Sequence, residues 1–471
     1  MAALAAPSTP IRPRPVAARW LRPAADGLRH PRARDLAAVG GRRGLPLVGV
    51  MPQVVRDPMR FFERMAARHG PVYRFRAFGT WHVHLVGPEA NQLLLFDEAN
   101  LFSAEQGWGP LMAPLFPGAL LIRDGEAHRR HRRLLGGAFR AGELEGYRAI
   151  FARDVAARCQ GWTGREIDVF AEARRLTLDI AASTFLGLSL RAETDQALGW
   201  FAQLANGLTA ISGDPRLSPT RARALRAKAR LEALVAALVE RRRGGEGADF
   251  LSRLANLRDD TGEPVPTPDL RDAILFLLAA AHETTSSALT SIVHYLAAHP
   301  DWAERLRAEA LAAGLDSPAE AGTAALPLQD MFCKEALRLN PPSPIVWRRA
   351  LRDFTFAGRR IPAGTMTGAN LMLSHRIESV WPDPSRFDPL RFAPAAERAR
   401  HRFAFAPFGA GIHKCLGLHF SQQQAKTLLT HLLLHADLRP ADPRPPRWYH
   451  WPSCRPRGAL RVSVRRRCPE S

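Results

Sequence analysis

A chain of 471 residues, 46% hydrophobic and 24% charged, is long enough to bury a cofactor together with a substrate, and its composition excludes a fibrous or wholly disordered protein. The formal net charge of +21 raises nucleic acid as a partner. However, nine Arg against two Asp in residues 1–43 and nine Arg against two acids in residues 439–471 place two-thirds of that excess at the two ends. No helix-turn-helix, zinc finger or aromatic-studded strand pair accompanies them, so nucleic acid is set aside in favour of an acidic protein partner or loose peripheral contact with an anionic membrane.

Taken in chain order, residues 1–43 are rich in Pro, Ala and Arg without apolar periodicity and predict a flexible extension ahead of one large domain over 44–467. "PVYRFRAF" and "HVHLVG" predict an early hairpin, and "FTFAGRRIPAGTMTGAN" a later one with turns at Ala357-Gly358 and Pro362-Ala363-Gly364. Helical patterns dominate between about 125 and 340, so the expected class is mainly α with small β-sheets, an α+β fold. In "GEAHRRHRRLLGGAF", His128 and Arg132 are i, i+4 neighbours able to clamp an anion such as a carboxylate, while Arg129 and Arg130 read as a solvated face.

The stretch Thr267–Pro300 predicts a helix of about 30 residues, capped by Thr267 ahead of Pro268 and stopped by Pro300. Its apolar run of nine residues, Ala273–Ala281, is about half of what a membrane span needs. Six polar residues, His282 to Ser287, interrupt its apolar centre and cover every face, so some must point inward; an acid beside a hydroxyl, Glu283 next to Thr284, is what proton delivery requires. "KEALRLNPPSP" places Glu335 and Arg338 on one helix face ahead of two prolines, and "WPDPSRFDPLRF" presents Arg391 in a Pro-rich loop; both read as structural. Five cysteines, odd in number and scattered, with no apolar signal segment near Met1, argue against a disulfide framework and for a reducing compartment.

One of the five stands apart. In "FAPFGAGIHKCLG", Cys415 is delivered by Gly409 and Gly411 to the start of an amphipathic helix, where free amides and the helix dipole favour a thiolate. No Gly-x-x-x-x-Gly-Lys-Ser/Thr supports a phosphate loop, no second ligand pair supports zinc, and no base is nominated for a cysteine nucleophile. A single thiolate serving a cofactor's metal remains.

"FGAGIHKCLG" resembles the haem-thiolate signature of the cytochrome P450 family, Phe-Gly-x-Gly-x-His/Arg-x-Cys-x-Gly. "GEAHRRHRR", "AAHETT", "EALR" and "FDPLRF" are similar, in the family's order, to its haem-contacting helix, its oxygen-binding helix, its Glu-x-x-Arg and its Pro-x-Arg-Phe element. The resemblance implies the P450 fold, haem b with Cys415 as axial iron ligand, and insertion of one oxygen atom from O2 using NAD(P)H electrons. Those electrons would arrive through a separate ferredoxin or flavodoxin and its reductase. It implies propionate contacts from His413, His128, Arg132 and Arg348, shielding of the sulfur by Phe408, close backbone approach at Gly409, Gly411 and Gly417, proton relay by Glu283 and Thr284, and a charge network of Glu335, Arg338 and Arg391. Ala281 stands where the family usually has Gly, and Ile412 where it commonly has Pro.

For the substrate, Trp108, Leu111, Met112, Leu115 and Phe116 before the His128 helix, Ala280 on the long helix, and Ile345, Val346 and Trp347 form the expected pocket. Their apolar character predicts a lipophilic small molecule such as a terpenoid, a sterol-like molecule or a fatty acid. The resemblance further implies a monomeric, bacterial, cytoplasmic enzyme without a transmembrane anchor. A peroxide-using peroxygenase and a haem-binding protein that does not oxygenate are the alternatives.

Overall fold

Short turns and proline punctuation set the architecture of the computed structural model, which describes residues 28–189, 194–208, 215–216, 218–245, 247, 249–258, 262–315 and 325–467. From the N-terminal side come β1 (Gly41–Arg42), α1 (Met51–Arg56), α2 (Pro58–His69), β2 (Val72–Ala77), β3 (Thr80–Leu85), β4 (Phe102–Ser103) and α3 (Ala104–Met112). The helical body follows with α4 (Gly125–Gly136), α5 (Ala141–Gln160), the strand β5 (Arg165–Asp168), α6 (Val169–Ala181), α7 (Thr194–Leu208), α8 (Pro219–Arg242), α9 (Thr267–Ala298), α10 (Pro300–Ala312) and α11 (Pro327–Leu339). Then come β6 (Ile345–Ala350), β7 (Phe354–Phe356), β8 (Arg359–Ile361), β9 (Met366–Asn370), α12 (Leu418–His435), β10 (Ala436–Pro440), β11 (Trp448–His450), β12 (Cys454–Pro456) and β13 (Arg461–Arg466).

Both expected hairpins form. β2 turns into β3 at Phe78-Gly79, and β7 into β8 at Ala357-Gly358. All four turn residues have positive φ (47°, 82°, 47° and 72°), the geometry whose twist matches a two-residue hairpin. The main sheet has the order β1-β2-β3-β9-β6-β4, with β3 and β9 parallel and β6 and β9 antiparallel, so the segment after the second hairpin returns to the centre of the first sheet. Residues 28–43, expected in a flexible extension, belong to the fold: Gly41 and Arg42 pair in parallel with Arg74 and Phe75, and Leu36 and Val39 are fully buried. The Arg349 guanidinium also donates to the Leu28 carbonyl at 2.8 Å. A two-residue strand is too short to show periodicity, which is why it was invisible in the sequence. The rest of that expectation, residues 1–27, lies outside the described residues.

Helix α9 has 32 residues, about 48 Å, and packs against α6, α8, α11 and α12 through one core. His299, with φ −127° and ψ 74°, leaves the helical region ahead of Pro300. Thr267 is its first residue rather than its cap; the hydroxyl bonds Glu240 and accepts from Arg243 at 2.9 Å, tying α9 to the end of α8. No helix among the described residues is long and apolar enough to cross a membrane.

Candidate functional site

The loop before α12 is fixed by its backbone. Gly409 and Gly411 have φ of 69° and 63°, a region costly for any residue with a Cβ. The Cys415 amide donates to the Phe408 carbonyl at 2.8 Å and closes the loop. A Cβ on Gly411 would stand 2.7 Å from the Phe96 carbonyl oxygen and 2.9 Å from that of Leu95. Gly411 therefore lets the loop pack on the 92–96 turn and does not itself reach the cavity, whereas Gly409 does. Gly417 has an ordinary φ of −87°, and a Cβ there would meet only the Phe139 ring, at 3.7 Å, so its bareness leaves room at the cavity wall.

Cys415 opens into a cavity of about 1070 Å³, with Phe408 beside it. This volume is at the upper end of ordinary ligand pockets, roughly 300–1,000 Å³. Burial pushes the Cys415 thiol above its usual value, against the Gly417 amide, Arg132 and Lys414, which favour the thiolate. α12 starts at Leu418, so Cys415 stands just ahead of the helix terminus, exposed at the cavity wall, and a bound metal cation there would favour its thiolate.

At one edge of the cavity four basic side chains converge: His128 and Arg132 from α4, Arg348 from β6 and His413 from the loop. The His128 and His413 rings are 4.1 Å apart. Burial lowers the pKa of His128, with Arg132 adding to the effect, and that of His413 is pushed down to about 3 by burial, Arg348, His128 and Arg132. Both rings are therefore neutral. Arg348, 4% exposed, is pushed down to about 10 by burial, opposed by Asp124 and Asp97, and remains cationic. It donates one bond, to the Trp347 carbonyl at 2.9 Å, while His128 Nδ1 and Trp108 Nε1 are buried without a partner. Two guanidiniums and two imidazoles at one edge of the cavity form a donor set that fits the carboxylates of a buried cofactor.

Asp124, which sequence reasoning missed, organises this edge. Its carboxylate accepts from the Ser103 hydroxyl and from the amides of Ala104 (2.9 Å) and Glu105 (3.3 Å), and lies 3.7 Å from His413 Nε2. An acid immediately before a helix reads as that helix's own cap; here it caps α3 instead.

The polar residues of α9 divide by face. Thr284 lines the cavity and donates to the Ala280 carbonyl at 2.8 Å without interrupting the helix. Glu283 does not line the cavity; its Oε1 is 3.2 Å from Arg174 of α6 and 3.6 Å from His282 Nε2. The acid and hydroxyl expected side by side in one pocket thus face different ways, as consecutive helical residues about 100° apart must. His282 and Ser286 are inside the protein, where Thr177 Oγ1 of α6 lies 3.0 Å from His282 Nδ1 and 2.7 Å from Ser286 Oγ. Ser291 donates to the Ala336 carbonyl of α11 at 3.2 Å. Much of the polar island is therefore a seam between helices.

Glu335 and Arg338 are both fully buried and paired through two bonds of 2.6 and 2.8 Å. Arg338 also donates to the carbonyls of His375, Pro384 and Arg386, which accounts for all five of its N–H groups, and Arg391 lies 3.5 Å from Glu335. These three side chains join the α11 helix to the 375–391 segment.

Of the nine expected pocket residues, Trp108, Ala280 and Val346 line the cavity. Strand alternation explains part of the shortfall: Val346 and Arg348 face the cavity, while Ile345 and Trp347 face the opposite side and pack on the α2–β3 cluster. Leu115 and Phe116 are buried in the main core, Met112 packs against it, and Leu111 does not reach the cavity. Phe276 and Leu277, which do line it, lie about one helical turn before Ala280 and Ala281, so helical periodicity extended from Ala280 would have found them.

Known proteins place this arrangement. Residues 39–456 match the family model "Cytochrome P450". A Mycobacterium tuberculosis protein, "Putative cytochrome P450 136", is 34% identical over 429 residues, covering 89% of this chain and 86% of its own. A Synechocystis protein, "Putative cytochrome P450 120", is 31% identical over 90% of this chain and 96% of its own. Among solved structures, retinoic acid bound cyanobacterial CYP120A1 superposes with a TM-score of 0.84 at 31% identity, covering 91% of this chain and 99% of that one. The cytochrome P450DA heme domain, at 21% identity and a TM-score of 0.80, shares the fold. With a family model matched over most of its length and relatives above 30% identity over about nine-tenths of it, the chain belongs to the cytochrome P450 family.

Proposed function

We propose that the chain is a b-type haem-thiolate monooxygenase that inserts one oxygen atom of O2 into a lipophilic small molecule, with NAD(P)H electrons delivered by a separate acidic ferredoxin or flavodoxin and its reductase. The observation that carries this reading is one cavity that joins the Cys415 sulfur, a cluster of Arg and His side chains able to donate to carboxylates, and the Thr284 hydroxyl. Cys415 would ligate the iron, and His128, Arg132, Arg348 and His413 would hold the haem carboxylates. Haem, when bound, supplies the redox chemistry that activates O2.

The remaining work belongs to the chain. Leu120, Phe276, Leu277, Ala280 and Val346 offer apolar surface that excludes water and binds the substrate. The hydroxyl proton of Thr284 is held by the Ala280 carbonyl, so Oγ1 turns its lone pairs to the cavity and can order a water. Glu283, half-buried and held by Arg174 on the adjoining face, is the acid that would recharge that water once it turns from the arginine. A peroxide-driven enzyme needs no such relay, and a Thr on the wall supports the O2 reading. CYP120A1, 31% identical, is described with bound retinoic acid, an extended apolar acid, which supports a lipophilic substrate here. On the cysteine loop itself Ile412 (53% exposed) stands two residues from the exposed Lys414, and Phe96 (36%) lies under the Arg402 guanidinium, a surface suited to an acidic electron donor.

The test is the absorption spectrum of the reduced, carbon-monoxide-bound protein. Wild type is expected to show the red-shifted Soret band of thiolate ligation and Cys415→Ala to lose it; a wild type without that band refutes the assignment.

A further inference from the structure

One exposed apolar segment lies away from the residues that line the cavity. Residues 41–47, Gly-Arg-Arg-Gly-Leu-Pro-Leu, are all exposed, with Leu45 at 56% and Leu47 at 81%; Val55, on the α1 helix that follows, is at 52%. Single exposed apolar residues are ordinary, but three within 11 residues are not. Leu47 is also held in a costly conformation. Its φ is +62°, in a tight loop closed by reciprocal Leu45–Gly49 backbone bonds of 3.0 Å and anchored by the Val50 amide on the Arg76 carbonyl at 2.9 Å. Gly44 and Gly49 adopt similar φ values, 70° and 64°, with backbone too close for a Cβ. At position 47 an Asn or Gly would relieve the strain and suit water better, yet an aliphatic side chain is presented outward.

Cations surround this loop. Arg42, Arg43 and Arg56 are exposed, and none has a carboxylate partner among the described residues. Arg457 caps the Arg56 carbonyl, and Tyr449, whose hydroxyl donates to the Val55 carbonyl at 2.9 Å, lies between the guanidiniums of Arg455 and Arg457, at 5.0 and 4.9 Å. The neighbouring acid, Asp57, is engaged in capping α2 through the Arg60 amide. Apolar side chains at the tip, with arginines and an amphipathic tyrosine at the rim, match an interface of acyl chains beneath anionic headgroups.

We propose that the 41–56 loop and the adjoining Arg455–Arg457 edge form a peripheral docking surface for anionic lipid, inserted through Leu47. It does not depend on the haem assignment, and it seats the protein where lipophilic molecules partition.

The experiment is co-sedimentation of the full-length holoprotein with vesicles of phosphatidylcholine alone or mixed with phosphatidylglycerol. Wild type should bind the mixed vesicles, less so at high salt. Leu47→Asn should weaken partitioning roughly tenfold or more, the loss of one buried Leu, while leaving the thermal midpoint equal or higher. Arg42→Gln with Arg43→Gln should weaken binding to the mixed vesicles and flatten the salt dependence. Failure of wild type to bind, or unchanged binding by Leu47→Asn, overturns the proposal. A lowered midpoint for Leu47→Asn means the side chain packs on the chain's own residues and overturns it too. So does a wild-type dimer in sedimentation velocity that Leu47→Asn dissolves without any lipid binding.

Discussion

Thr284 and Glu283 are adjacent in the sequence and differ in everything that matters to their work. The threonine faces the cavity with its proton bound to Ala280 O, while the glutamate faces α6 with Arg174. A hydroxyl that orders water should therefore be replaceable by Ser and not by Ala. Thr284→Ala is expected to keep haem and substrate binding while product per NAD(P)H consumed falls, on the order of a hundredfold if the proton step is lost, with the missing electrons appearing as peroxide. Thr284→Ser should recover most of the coupling. Steady-state product, NAD(P)H and peroxide measured together decide it: unchanged coupling in the alanine variant removes Thr284 from the relay. The residue types of the candidate site were legible because local pattern carries them, as with Cys415 behind Gly409, or His128 and Arg132 one turn apart. Facing was not. Ile345 and Trp347 were placed on the cavity side because a strand's alternation is useless until its partner strands are known, and Asp124 was missed because the cap it forms is on another helix.

Between elements, buried polar groups do the joining. The pair of Glu335 and Arg338 holds α11 to the 375–391 segment, with five donors of one buried guanidinium meeting five acceptors. Replacement of Arg338 by Lys keeps the charge but supplies three donors without the planar fork to the five acceptors that Arg338 meets, of which Glu335 Oε1 would keep the Asp388 amide at 2.9 Å. Breaking a buried pair of this kind costs about 3–5 kcal/mol, so Arg338→Lys should lower the thermal midpoint sharply. Haem retention should fall with it, since the adjoining His375 Nε2 accepts from the Ala406 amide at the entry to the cysteine loop. A variant with wild-type midpoint and haem content would show that the network is dispensable. Helices and hairpins were legible from prolines, periodicity and Gly-containing turns. The depth of this Glu-x-x-Arg pair came only with the resemblance, because the same pattern is usually a surface pair.

Across the whole molecule, histidine burial sets the pH range in which the fold survives. His82, His282, His375 and His450 are each pushed down to about 3, first by burial and then by neighbouring positive groups: Arg174 at His282, Arg338 and Arg376 at His375, Arg376 at His450. In the unfolded chain each returns to about 6.5. Above that value neither state holds the proton and nothing is lost. As pH falls below it, the unfolded chain takes up protons that the folded chain refuses, so stability declines by about 1.4 kcal/mol per pH unit for each such histidine until the folded value is reached. Four acting together would exhaust a typical stability of roughly 5–15 kcal/mol within about one to three pH units, so loss of stability is expected to begin before the carboxylates protonate. His450 isolates one contribution: both ring nitrogens are buried without a partner, on β11. His450→Phe should match or exceed wild-type stability in urea at pH 7 and lose stability more slowly as pH is lowered to 5, the difference in slope being one proton. Equal slopes for the two proteins would mean that His450 takes its proton in the folded state, and that the acid limit of this fold is set elsewhere.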